Sequence, residues 1–476
     1  MTGLNHPRRR GVRIWGMDQR TPGRHRPTRL FIAAFVVALA AGPMAACAGL
    51  PTETATLPPS PSAIASVAPS GSPSTTPATA SPIPVPGSPT QDLIDFLVSV
   101  VEVEPDNGLA HRDLGFALLQ RFRETGDPSL YAPAEAALVV ARELLPADPL
   151  VPVGIGALQL GRHEFAQALA TATAALEDHP GDPSLRGVVV DALVDLGRYD
   201  EAFAAAESLA ADSPDLSSLA RVSYAYELRG DLPAALATME AAAASPGLAP
   251  ENTAFVLALV GHLRRLTGDV EGAADAYAQA LTLVPEHAPS LIGEGRLAVG
   301  SGDLASARDR FERAAAVVPL PEPVVALGET LEAMGDADAA ADQYDLARAL
   351  ITLSQANGVV VDVDLALFEA DHGDAATALR LAETAYAAAP TIRAADARAW
   401  ALHRLGRDEE AAELTAEALR LGSRDPLLLF HAGAIAAALG RDAQARTYLT
   451  DALAGDPGFS ATGAAEARRL LSDLGG

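Results

Sequence analysis

The apolar and polar positions of this chain fall into register on a series of glycines. Gly197, Gly230, Gly268, Gly302, Gly335, Gly373, Gly406 and Gly440 follow one another at intervals of 33, 38, 34, 33, 38, 33 and 34 residues. Five residues after each stands alanine: Ala202, Ala235, Ala273, Ala307, Ala340, Ala378, Ala411 and Ala445. Seven residues before each the side chain is small, Val190 excepted, as in Gly261, Gly295, Gly328, Ala366, Ala399 and Gly433. A bulkier residue often stands nine after, as in Tyr277, Phe311, Tyr344 and Leu449, and a proline seventeen after, as in Pro214, Pro285, Pro319, Pro390 and Pro457. A glycine that takes the left-handed conformation ends one helix, and the aspartate that follows five of the eight can cap the next. Proline then stops that second helix. The pattern predicts helical hairpins, two antiparallel helices of about 14 residues each, with the small positions where the helices approach most closely.

This register is similar to the tetratricopeptide repeat, and "LGRYDEAFAAAESLAADSP", Leu196 to Pro214, resembles the second half of one. The resemblance spans roughly residues 105 to 457, with eight clear units and two weaker ones around Gly126 and Gly161. Most units lack the consensus tryptophan, Arg264 stands where a large apolar residue is usual, and two intervals carry extra residues. The resemblance implies an all-α fold, a solenoid of helical hairpins wound as a right-handed superhelix. We expect it over residues 92–476 as about ten hairpins, with "GFSATGAAEARRLLSDLGG" as a capping helix.

Composition adds a different N-terminus. All 35 basic residues are arginine; eight of them lie in the first 46 residues, against one acid, leaving the chain from residue 91 onward with 27 arginines against 59 acids. A surface so acidic repels nucleic acid and anionic headgroups, and the basic end has a separate task. Its arginines precede the apolar run "LFIAAFVVALAA", Leu30 to Ala41, which is too short to span a bilayer. Charged region, short apolar run and small residues together predict an export signal over residues 1–46, with Met1 or Met17 as its start. "MAAC" resembles the lipobox of bacterial lipoproteins, with Met44 in place of the usual leucine. The resemblance implies diacylglycerol on Cys47, the only cysteine, and a chain held by lipid at the outer face of the cytoplasmic membrane. Residues 47–91, rich in proline, serine and threonine and nearly uncharged, cannot build a core and are expected to be a disordered tether. At about 3.1 Å per residue it could reach on the order of 100 Å from the membrane.

Catalytic and metal-binding readings find little support. "VDVDLALFEADHGD", Val361 to Asp374, is acidic, but an EF-hand loop counted from Asp362 would need glycine at Leu367 and glutamate at Gly373. "HEFAQ" from His163 has Gln167 where a zinc peptidase has its second histidine. No phosphate-cradling glycine loop or nucleophile elbow occurs. We expect no metal, no cofactor and no catalysis.

The function the sequence favours is a lipid-anchored cell-envelope scaffold that binds a protein or peptide partner in its concave groove. The alternative is an envelope solute-binding or glycan-processing protein with a pocket in the solenoid. In tetratricopeptide arrays the first helix of each hairpin lines the groove, thirteen, ten, six, three and two residues before the turn glycine. Those offsets give Tyr224, Glu227, His262, Arg265, Arg296, Glu329, Glu332, Asp371, Arg393, Trp400, His403 and Arg404. The expectation is of arginine bands flanking an exposed Trp400, suited to a partner with acidic and aromatic or apolar groups.

Overall fold

The computed structural model describes residues 89–245, 250–360 and 363–475, so the leader, Cys47 and most of the expected tether lie outside it. Among the described residues there are 22 α-helices, one short 3-10 helix (Pro128–Leu130) and no strand. Helix α1 (Pro89–Val103) packs on the first hairpin, α2 (Gly108–Thr125) with α3 (Tyr131–Leu144). Next come α4 (Leu150–Gly161) with α5 (Phe165–Asp178), α6 (Pro183–Asp195) with α7 (Tyr199–Asp212), and α8 (Leu216–Leu228) with α9 (Leu232–Ala243). The series continues with α10 (Pro250–Leu266) and α11 (Val270–Leu283), α12 (Ala288–Ser301) and α13 (Leu304–Val317), and α14 (Pro321–Ala333) and α15 (Ala337–Ala356). The last hairpins are α16 (Val363–His372) with α17 (Ala375–Ala388), α18 (Ile392–Arg404) with α19 (Asp408–Ala418), and α20 (Pro426–Ala438) with α21 (Asp442–Gly455). Helix α22 (Ala461–Asp473) follows them. The first helix starts at Pro89, three residues before the expected boundary, because proline is well suited to a helix's first position.

The register has direct structural causes. Seven of the eight register glycines have φ between +67° and +86°. The exception is Gly373, where the Glu369 carboxylate accepts the Asp374 N–H and closes the turn in another way. Each aspartate after a register glycine (Asp231, Asp269, Asp303, Asp336 and Asp374) accepts a backbone N–H of the following helix. The small residues before the turn meet the bulky ones after it: a Cβ on Gly261 would lie 2.5 Å from the Tyr277 ring, on Gly295 2.6 Å from Phe311, and on Gly328 2.6 Å from Tyr344. The recurring alanines five after the glycine are all buried.

The superhelix also contacts itself. Ile392 N–H donates to the Tyr199 hydroxyl at 3.0 Å across 193 residues of sequence, and Val360 N–H donates to the Arg162 carbonyl at 3.0 Å. Gly230 abuts the Gly422 carbonyl, which a Cβ would approach to 2.2 Å. Arg265 and Asp456, 3% and 2% exposed at their side chains, form a buried ion pair. These contacts form a seam: the turn of one hairpin meets a connection five to six hairpins further along. Gly458 and Ser460 extend it, the first against the Arg296 carbonyl and the second by donating its hydroxyl to Glu329 at 2.6 Å. The six extra residues of α15 and the connection after it reach the seam at Arg162.

One buried group ties the fold to pH. Burial lowers the His287 pKa to about 4; its Nδ1 is 2.9 Å from Ser290 Oγ and its Nε2 3.8 Å from Glu251. Folding therefore favours the neutral ring, and the unfolded chain takes up the proton below its ordinary value near 6.5. Stability is fully present above that value and is lost as pH falls toward 4, by about 3 kcal/mol from this group. In thermal melts at pH 7 and pH 4 the parent should lose more than His287→Gln. Equal losses would remove His287 from the account.

Candidate binding cavity

The seam and the first helices line a cavity of about 840 Å³. One wall is built from α14, α16, α18 and α20, which present Glu329 and Glu332, Phe368 and Asp371, Arg393 and Trp400, and Phe430 in turn. The opposite side is formed by the turns around His163 and Leu196, with Tyr224 of α8. Phe459, Ser460 and Glu466, at and beyond the start of α22, complete it.

Eight of the twelve expected groove residues line this space: Tyr224, Arg296, Glu329, Glu332, Asp371, Arg393, Trp400 and Arg404. Glu227 and His262 instead face each other at 3.1 Å outside it, and His403 is held by Asp408. Two expectations are corrected. Arg265 is 3% exposed, its charge taken by Asp456 at the seam. Trp400 is 1% exposed, because its indole lies between two imidazoles, His431 at 4.0 Å and 13° and His403 at 4.9 Å and 25°. The arginine bands are also paired within the chain: Arg296 with Glu322 and Arg393 with Asp364, both at 2.6 Å, while Arg404 Nε donates to the Ala370 carbonyl.

Carboxylates nonetheless outnumber arginines in the lining, Glu322 and Asp364 being among those already partnered. Glu164, Asp195, Glu322, Glu329, Glu332, Asp364, Asp371 and Glu466 line the cavity against three arginines. Asp371 accepts the Trp400 Nε1–H at 2.7 Å and keeps accessible surface, which faces the cavity. Burial within the superhelix raises its pKa; His431, the indole N–H and His372 oppose the rise, and Glu329 adds to it. Burial also raises the pKa of the Tyr344 hydroxyl, and Glu332, Glu329 and Asp371 all push it further up. Behind Trp400, His431 Nδ1 bonds Asp396 at 2.8 Å; burial disfavours the imidazolium, but Asp396, Asp371 and Asp425 outweigh it and raise its pKa. Among the described residues, no three His, Cys, Asp or Glu groups are placed to hold a metal ion.

The offsets pointed to the first helices but missed what crosses the seam. The register gives no hint of the turns at His163 and Leu196, or of Phe459. Phe368 and Phe430 are both mostly buried while also lining the cavity.

Comparison with known proteins agrees with the hairpins. Residues 159–224 match one tetratricopeptide repeat family model and residues 292–352 another. These two segments of the chain are tetratricopeptide repeats. Among solved structures, the chain is similar to a tetratricopeptide repeat protein from Parabacteroides merdae ATCC 43184 (17% identity, TM-score 0.36, covering 52% of this chain and 97% of that one). It is also similar to PilW, described as a widely conserved type IV pilus biogenesis factor (18% identity, TM-score 0.35, 43% of this chain and 97% of that one). A third similar structure is the APC/C hetero-tetramer Cut9-Hcn1 (14% identity, TM-score 0.35, 81% of this chain and 96% of that one). No curated protein matches the chain.

Proposed function

We propose that this chain is a lipid-anchored cell-envelope scaffold that holds a segment of a protein partner in its interior cavity, and we assign it no catalytic role. The observation that carries the reading is the convergence of eight first-helix side chains, from five different hairpins, on one cavity. Stacked hairpins of this family present such surfaces to partners. Cys47, behind its apolar run, supplies the anchor. Cys47→Ser should abolish the lipid and release the chain from the membrane fraction; a variant that stays there with unchanged mass would mean that an uncleaved helix anchors it. No helix among the described residues is long and apolar enough to cross a membrane.

The cavity volume favours a second reading, since about 300–1,000 Å³ is the usual size of a small-molecule pocket. A photo-crosslinking residue at Arg393, in the cavity wall, separates the two. A protein adduct from Arg393 and none from the exposed Glu413 of α19 supports the scaffold. Adducts from Glu413 alone would move the partner to the outer surface, and protection of Arg393 by a small solute would favour the pocket.

A further inference from the structure

The chemistry of the cavity is opposite in sign to the groove that the offsets suggest. Its arginines already have partners within the chain, whereas among the described residues no arginine pairs with Glu329, Glu332 or Asp371. Glu332 takes only the Tyr344 hydroxyl, at 2.9 Å, and Asp371 only the Trp400 N–H, at 2.7 Å. Each keeps accessible surface and acceptor capacity. Phe368 and Trp400 stand beside them, but their ring faces are already covered within the chain, Phe368 by Arg348 and Trp400 by His431, His403 and Arg404. The carboxylates do not converge on a point as metal ligands would. Their spread suits a cation that is itself extended and carries several N–H donors.

A second observation extends the ligand beyond a bare cation. Ser354 Oγ and His431 Nε2, both on cavity-lining side chains more than nine-tenths buried, have no hydrogen-bond partner among the described residues. A buried polar atom without a partner destabilises the empty cavity, and a ligand that supplies both carbonyl acceptors and N–H donors removes that cost. A peptide backbone supplies both. A simple amine does not.

We propose that the cavity receives a basic side chain, the guanidinium or ammonium of an arginine or lysine in an extended partner segment, against Glu332 and Asp371. The inference rests on the interior being the partner-binding surface and adds the chemistry of the occupant. Only the partner's charge is at issue here, not the anchor.

Trp15 and Trp400 are the only tryptophans, so the full chain carrying Trp15→Phe reports from Trp400 alone. Its emission and the heat of binding are followed during titration with a capped Gly-Arg-Gly peptide, a capped Gly-Glu-Gly peptide and spermidine. The arginine peptide should saturate with a change in Trp400 emission, the glutamate peptide should give no response, and added salt should weaken binding. Glu332→Gln with Asp371→Asn should weaken the arginine peptide at least tenfold. Both substitutions keep an acceptor for Tyr344 and Trp400, and Glu332→Gln alone, at an exposed residue, provides a readout if the double variant fails to fold. Equal or tighter binding of the glutamate peptide, or unchanged binding by the folded variants, would overturn the proposal. Saturation by spermidine with no response to the peptide would overturn the assignment to a partner segment. A variant that still crosslinks its partner from Arg393 but has lost the arginine peptide would leave the scaffold reading standing and refute the basic side chain as its contact.

Discussion

Arg265→Ala should destabilise the protein by about 3–5 kcal/mol, far more than an arginine three residues before a solvent-facing turn would warrant. The reason lies 191 residues away in sequence, at Asp456. Both side chains are almost wholly buried, and removing the guanidinium leaves a carboxylate with neither water nor countercharge. Asp456 would retain only the Gly458 N–H, at 3.0 Å. Arg198, 47% exposed and paired with Glu201 within its own helix turn, is the control, and its replacement by alanine should change stability little, because water screens that pair. Chemical denaturation of the two variants beside the parent checks the contrast. Similar small losses at both sites would mean that Arg265 is solvated.

Gly230→Ala should cost about 2–5 kcal/mol and Gly268→Ala only about 1–2 kcal/mol. The two glycines are locally alike: each ends a first helix with positive φ, +73° and +80°, and each precedes an aspartate cap. Alanine at either must adopt the left-handed conformation. At Gly230 the new Cβ would also stand 2.2 Å from the Gly422 carbonyl, a backbone atom held by its own connection, whereas nothing lies within 4 Å of it at Gly268. The difference between the two losses therefore measures the seam rather than the turn. Equal losses would show that the successive superhelical turns are not in contact there.

This pair of glycines also marks the limit of what the sequence made legible. Hairpins could be read because their determinants are local: Gly261 and Tyr277 stand 16 residues apart, and their close approach recurs at Gly295 with Phe311 and at Gly328 with Tyr344. Repetition turns one steric fact into a visible period. The seam has no such period, since its partners come from different repeats and different residue types, Arg162 with Val360, Tyr199 with Ile392, Arg265 with Asp456. Nothing around Gly230 distinguishes it from Gly268. The groove offsets likewise found the right helices, because the first helix of each hairpin faces inward, but they assumed an open surface. In an interior closed by the seam, arginines find carboxylates of the same chain, and Trp400 lies between His431 and His403. Sign and exposure were lost where position was kept.

The closed superhelix rests on contact between residues that no local rule brings together, and a double-mutant cycle on Arg265 and Asp456 tests it most directly. The stabilities of the parent, Arg265→Met, Asp456→Asn and the double variant are measured under one condition. Contact across the seam predicts that the double variant loses less than the two single variants together, with a coupling of about 1.5–3 kcal/mol. Additivity to within about 0.5 kcal/mol would place the two residues apart and contradict the closed interior.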